Sequence, residues 1–128
     1  MPRSSAVHVA VEAFAERADR LDVLVNNAGG LGTYGPFATR GQVDMDAVVA
    51  MNLSAVPYTT HAALAHVRRQ RAGRIVTIAS EAGRMAMRDL AVYNTCKAGV
   101  IAFMRNLARE VGEEGIATEL SVGAGRSA

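Results

Sequence analysis

The sequence predicts an α/β fold: a parallel sheet of about three strands flanked by helices. Three observations predict it. Short aliphatic runs at 21–25, 74–79 and 116–122 alternate with longer stretches of helical periodicity, in the order α-β-α-β-α-β. Each strand-to-strand connection is long enough for a right-handed crossover helix, the connection that joins parallel strands. The composition supports a core: of 128 residues, 50% are hydrophobic and 20% charged. That balance excludes a disordered, collagen-like or polyelectrolyte chain and predicts a single domain over 1–128.

Residues 5–20 place Val7, Val11, Phe14 and Ala18 three and four apart, an apolar stripe on one helix. Ser4 or Ser5 is placed to cap it, and Glu16 and Arg20 are spaced to pair. Residues 21–25 are a buried strand, stopped by the polar, glycine-rich run Asn26-Asn27-Ala28-Gly29-Gly30. The loop that follows runs to about residue 43 and holds Gly32, Gly35, Pro36 and Gly41. Loops of that length are commonly functional. A helix is predicted over 44–70, with Asp44 as N-cap, Arg68, Arg69 and Arg71 at its end and Gly73 beyond. Pro57 lies inside it. A proline has no N–H, so it frees the carbonyl of Leu53 and kinks the helix next to Asn52. Residues 74–79 form the second strand and lead to Ser80, followed by a loop over 81–91. The last helix spans 92–112, with Ala98, Ile101, Ala102, Leu107, Ala108 and Val111 as its apolar side. Ile116 to Val122 form the third strand, interrupted by Glu119.

In open parallel sheets, ligands bind beyond the carboxyl ends of the strands. Asn26–Gly29 and Ser80 stand at two such ends. Tyr93 and Lys97 are four apart on a helix and share a face. A free tyrosine ionises near pH 10, and an ammonium one turn away favours the phenolate. The pair is therefore a workable acid/base device, and the Ser80 hydroxyl can hydrogen-bond the oxygen that Tyr93 protonates or deprotonates.

Other residues carry less chemistry. One cysteine cannot form an internal disulfide, which implies a reducing, cytoplasmic setting. Cys96 falls on a different helix face from Tyr93 and reads as a small buried apolar residue. His61 and His66 are five apart, off the i,i+4 spacing of a helical metal pair, and with His8 read as surface residues, so no metal is expected. Arg68, Arg69, Arg71 and Arg74 read as a solvated face near a helix C-terminus. With a net charge of +2, no nucleic-acid partner is expected. No apolar run is long enough to span a membrane, and the N-terminus lacks a signal peptide's apolar block. Met85, Met87 and Leu90 either line an apolar substrate pocket or pack their own loop. Asn26 and Asn27, taken alone, read as turn residues.

Taken together, four segments carry a resemblance: Asn26-Asn27-Ala28-Gly29 after a strand, Asn52 in Met-Asn-Leu-Ser, Ser80 in Ile-Val-Thr-Ile-Ala-Ser, and Tyr93-Asn-Thr-Cys-Lys97. In this order and spacing the chain resembles the short-chain dehydrogenase/reductase family over about residues 5–122. The resemblance implies a partial Rossmann-like three-layer fold. It implies an oxidoreductase using NAD or NADP to interconvert a secondary alcohol and a ketone, with the 3-oxoacyl reductases as the nearest general likeness. Tyr93 resembles the family's acid/base, Lys97 the residue that lowers the tyrosine pKa and holds the nicotinamide ribose, and Ser80 the residue that orients the substrate oxygen. Asn52 resembles the anchor of a water in the proton relay, and Asn26 a contact to the adenosine side of the cofactor. Asn27, Ala28 and Gly29 resemble the segment where backbone approaches the dinucleotide. A homo-oligomer joined through the helices at 44–70 and 92–112 is also implied.

The family's glycine-rich phosphate turn, its second strand, its C-terminal Asn and Pro-Gly, and its substrate lid have no counterpart here; Glu119 stands near the asparagine position. The chain is thus expected to be the middle of the family fold, truncated at both ends, with an open sheet edge beside 21–25. A competing expectation follows: a catalytically silent remnant, or an interaction module that pairs through the same two helices.

Overall fold

A computed structural model describes residues 2–123. Helix α1 (Pro2–Ala18) leads to strand β1 (Val23–Asn26), and a long loop with a 3-10 turn at Phe37–Thr39 leads to α2 (Gln42–Val49). A π-helical segment, Ala50–Ser54, joins α2 to α3 (Ala55–Gln70). Strand β2 (Gly73–Ser80), a 3-10 turn (Glu81–Gly83), α4 (Ala91–Val111) and β3 (Ile116–Gly123) follow. The three strands are parallel, in the order β1-β2-β3, with Asn26 level with Thr77 and Ser80 level with Gly123. The predicted α/β class, the alternation of helices and strands, and the parallel pairing are therefore present.

Burial alternates along the strands, as the two-residue period of a pleat requires. Ile75, Thr77 and Ala79 are buried. Ile75 packs with Val67 of α3 and Met104, Leu107 and Val111 of α4; Ala79 packs with Val56, Val100 and Ile101. The alternate residues tell the other half: Val23 and Val25 are 50% and 55% exposed. A strand buried on both faces was expected at 21–25. The helices that could cover it, α3 and α4, both supply the same buried face, so the other face of β1 stays open.

Several local expectations change for tertiary reasons. α1 begins at Pro2, so Ser4 and Ser5 stand inside the helix, not ahead of it; the side-chain caps expected of them lie outside the described positions. Its inward residue is Ala15, while Phe14 is 57% exposed. The contact of α1 with α3 is partly polar: His66 is buried, with Nε2 3.0 Å from Glu12 Oε1 and Nδ1 2.8 Å from Arg69. A surface histidine was expected. Arg20 pairs with Asp22 at 2.5 Å, in place of the expected Glu16 partner. Asp44 is not the cap of the second helix, since Gly41 precedes its first residue; Asp44 sits in the first turn, where Arg40 at 2.8 Å and the Thr33 hydroxyl at 2.8 Å bind its two oxygens. On α4 the inward face is Cys96, Lys97, Val100, Ile101, Met104, Leu107 and Val111, while Ala98 and Ala102 are exposed. Arg68 pairs with Glu114 at 2.7 Å, and Arg74 pairs with Glu119 across the strands, which accounts for an acid inside β3. No helix among the described residues is long and apolar enough to cross a membrane.

Candidate active site

The site forms where the carboxyl ends of β1 and β2 meet the first turns of α4. Tyr93 and Lys97 stand one turn apart, and the Lys97 ammonium lies 5.6 Å from the centre of the Tyr93 ring. Lys97 is 6% exposed. Among the described residues no carboxylate lies within ion-pair distance of it, and burial pushes its pKa down from the usual lysine value. The neighbouring Cys96 is buried too, and burial pushes its thiol up, so it stays a protonated packing residue.

Gly29 brings the loop after β1 onto this lysine. A Cβ there would lie 3.0 Å from Lys97 Nζ and 2.9 Å from Asn52 Oδ1, so a side chain would occupy the space between them. The loop is held by Asn52. Its amide donates to Gly30 O at 2.8 Å and to Val48 O at 2.9 Å, and it accepts from Gly30 N–H at 2.9 Å. Asn52 lies within the π segment, with Pro57 just beyond. The expected disturbance of the helix is thus present beside Asn52, as a π turn. Both amide hydrogens of Asn52 are engaged by backbone, so any hold on a relay water falls to its own carbonyl.

Ser80 ends β2. Its Oγ accepts a 3.2 Å bond from the Ala82 N–H and caps the turn Glu81–Gly83, which leaves the hydroxyl hydrogen available. Gly83 lets this turn lie against α4: a Cβ there would sit 2.8 Å from the Lys97 carbonyl carbon. The strand end carrying Ser80 and the helix carrying Tyr93 and Lys97 are therefore locked together through backbone contact.

Asn26 is turned the other way. Its amide donates to Thr60 at 3.1 Å and Thr77 at 3.2 Å, and its oxygen accepts from Thr59. It ends a strand and is buried, so the simple turn role does not apply. Its side chain fastens β1 to α3 and β2, and a cofactor contact is left to its backbone. Ala28 and Gly29 are exposed on the loop. The three threonines, Gly83 and Asn94 were not singled out from the sequence; nothing in their local pattern says which distant group they meet.

The donors fit one end of a nicotinamide nucleotide. A bare Gly29 backbone beside a buried ammonium with no protein carboxylate suits ribose hydroxyls as acceptors. The pyrophosphate end has no matching cradle among the described residues, because β1 runs into a loop and a 3-10 turn before any helix begins. Among the described residues no group of three or more His, Cys, Asp or Glu could hold a metal ion.

Known proteins share this fold. The sequence pattern of the short chain dehydrogenases matches residues 1–123. A 3-oxoacyl-[acyl-carrier-protein] reductase of Synechocystis sp. is 38% identical over 102 residues, 79% of this chain and 40% of that protein. The structure of an NADH-dependent reductase, A1-R', complexed with NAD superposes with a TM-score of 0.89 at 27% identity, covering 94% of this chain and 53% of that one. A metagenomic short-chain oxidoreductase in complex with NADP superposes with a TM-score of 0.86 at 31% identity, covering 97% and 55%. The chain spans about two fifths to half the length of the curated relatives it matches. With the match running through every described strand and through the helix of Tyr93 and Lys97, the chain belongs to the short chain dehydrogenase family.

Proposed function

We propose that the chain acts in an NAD(P)(H)-dependent oxidoreductase that interconverts a secondary alcohol and a ketone, with Tyr93 moving the proton. The bound nicotinamide would supply or accept the hydride. In reduction the Tyr93 phenol donates its proton to the carbonyl oxygen; in oxidation the phenolate takes the proton of the alcohol. The Lys97 ammonium lies 5.6 Å from the centre of the Tyr93 ring and stands beside the Gly29 backbone, where it would hold the ribose hydroxyls. Ser80 donates its free hydroxyl hydrogen to the same substrate oxygen, while Ala82 N–H fixes its orientation. Asn52 holds the Gly30 loop in place and offers its carbonyl to a relay water.

The observation that carries this reading is the buried Lys97 ammonium. A buried charge without a counter-ion costs stability, and such groups concentrate where they serve chemistry. The Synechocystis relative supports a ketone substrate of the 3-oxoacyl class, and cofactor-bound relatives of both kinds leave NAD and NADP equally open. The reading includes a cytoplasmic protein and a homo-oligomer joined through α2–α3 and α4, a reading supported by the exposed Val43, Met51 and Tyr58 along the first of these. Those residues equally favour the second reading, an inactive module that joins a longer relative through the same helices.

Titration with NADH and NADPH, followed by fluorescence and thermal shift, separates the two. Micromolar binding supports the enzyme reading, with the missing phosphate cradle supplied by another chain or an unforeseen arrangement, and Tyr93→Phe should then retain binding while turnover falls by roughly 10²–10⁴. No binding up to millimolar nucleotide overturns the enzyme reading for this chain and leaves the interaction module.

A further inference from the structure

The loop between β1 and α2 is built as one piece. Asp44, in the first turn of α2, holds it at two points. The Thr33 hydroxyl donates to Oδ1 at 2.8 Å, and Arg40 pairs with Oδ2 at 2.8 Å. The Arg40 side chain is 10% exposed, and the loop folds around its guanidinium: a Cβ at Gly35 would lie 3.9 Å from Nη1. Between these points the Pro36 carbonyl accepts from the Thr39 N–H at 3.0 Å and from the Thr39 hydroxyl at 2.8 Å. A glycine stands just outside each end. Gly32 has φ +68°, in the left-handed region, and a Cβ at Gly41 would meet nothing within 4 Å. Residues 33–40 are thus a stiff unit between two flexible joints.

The place of this unit matters to Tyr93. Leu31, Thr33, Phe37 and Arg40 line a crevice together with Val92 and Tyr93 of α4. Its volume is about 10 Å³, room for no more than one water. A secondary alcohol or ketone cannot reach the phenol by this route while the loop stays in place. Burial does not keep it there. None of residues 31–41 is buried, and Leu31, Tyr34 and Phe37 are 46%, 61% and 61% exposed. A segment with so little apolar burial opens locally at low cost. The hold comes from the two bonds to Asp44.

We propose that residues 33–40 form a flap beside Tyr93, and that Asp44 is the positioning residue that latches it, so that release of the latch admits the substrate. The inference rests on the reading of Tyr93 as the proton-transfer residue and adds the gate by which its substrate enters.

The test reads access to the phenol without nucleotide or turnover. N-acetylimidazole acetylates tyrosine oxygens and is too large for a crevice that holds one water. The chain has three tyrosines. A Tyr34→Phe chain removes the one on the flap, and Tyr58 on α3, 43% exposed, is the internal reference. Mass spectrometry of the two remaining tyrosine peptides gives the Tyr93 rate relative to that of Tyr58. Added to this chain, Asp44→Asn breaks the ion pair and should raise the Tyr93 rate roughly tenfold while Tyr58 stays constant. Gly41→Pro stiffens one joint. Gly41 has φ −81° and Arg40 before it is extended, so both suit a proline there. It should slow Tyr93 roughly two- to fivefold. Damage to the fold would speed both tyrosines and could slow neither. A Tyr93 rate unchanged by Asp44→Asn, or a Gly41→Pro chain that reacts as fast as its parent, overturns the proposal. If Asp44→Asn speeds Tyr58 as well, Gly41→Pro alone decides. A chain that binds neither nucleotide but shows both rate changes keeps the flap and loses the enzyme reading. A chain that binds nucleotide with both rates unchanged loses only the flap.

Discussion

Lys97 holds its charge where water scarcely reaches, and the consequence is measurable at the scale of one residue. Burial lowers its pKa below the ordinary value of 10.5, so the folded chain releases this proton before the unfolded chain does. Below the lowered folded value both states are protonated and the burial penalty is present in full. Between the lowered folded value and 10.5 the unfolded state binds more protons, so this group's contribution to stability rises with pH through that alkaline window. Lys97→Met should therefore stabilise the chain at neutral pH by about 0.5–2 kcal/mol and flatten the alkaline rise. Urea melts at the two pH values check it, and a loss of stability at neutral pH would show that the ammonium is well paired. Asn26 is the opposite case, a polar side chain that stabilises. Asn26→Leu strips Thr59, Thr60 and Thr77 of a shared buried partner and should cost about 2–3 kcal/mol in the same melts.

At the scale of elements, the informative piece is the interrupted helix between Gln42 and Gln70. Three things meet at its π turn. Asn52 grips Gly30, Leu53 presses on α4 where a Cβ at Gly99 would lie 2.9 Å from its Cδ1, and Pro57 withholds an N–H. If the proline imposes the distortion, Pro57→Ala lets the turn relax to α-helix, and the backbone amide that this substitution introduces should exchange slowly with deuterium. Fast exchange of that amide would assign the π turn to the Asn52–Gly30 clamp. Pro57 announced a disturbance in this helix; its form depends on Gly30 and Gly99, far away in sequence. The same applies to α1, whose polar contact through Glu12 and His66 could not be read from an apolar stripe.

At the scale of the molecule, three parallel strands have their outer edges at β1 and β3 unpaired among the described residues. One sheet face is covered by α3 and α4; the other shows Val23 and Val25 half-exposed. Parallel sheets are normally covered on both faces, and open apolar edges promote association. The chain alone is expected to self-associate at micromolar concentration, and Val25→Lys should move its sedimentation toward monomer. Unchanged sedimentation would place the contact on the long helices, where Val43 and Tyr58 are exposed.

The sequence by itself determined what depends on backbone period. The alternation of aliphatic runs with helical stretches set the element order and the parallel sheet, and a spacing of four put Tyr93 and Lys97 on one face. Those patterns are local, so one chain suffices to read them. Only the tertiary structure decided where polar side chains point: Asn26 inward to three threonines, Asn52 onto Gly30, Asn94 onto Met85. It also decided that Gly29 stands bare against Lys97 and that one sheet face stays open. Hydrogen bonds and close contacts of this kind join residues distant in sequence, and their partners are set only when the helices have packed.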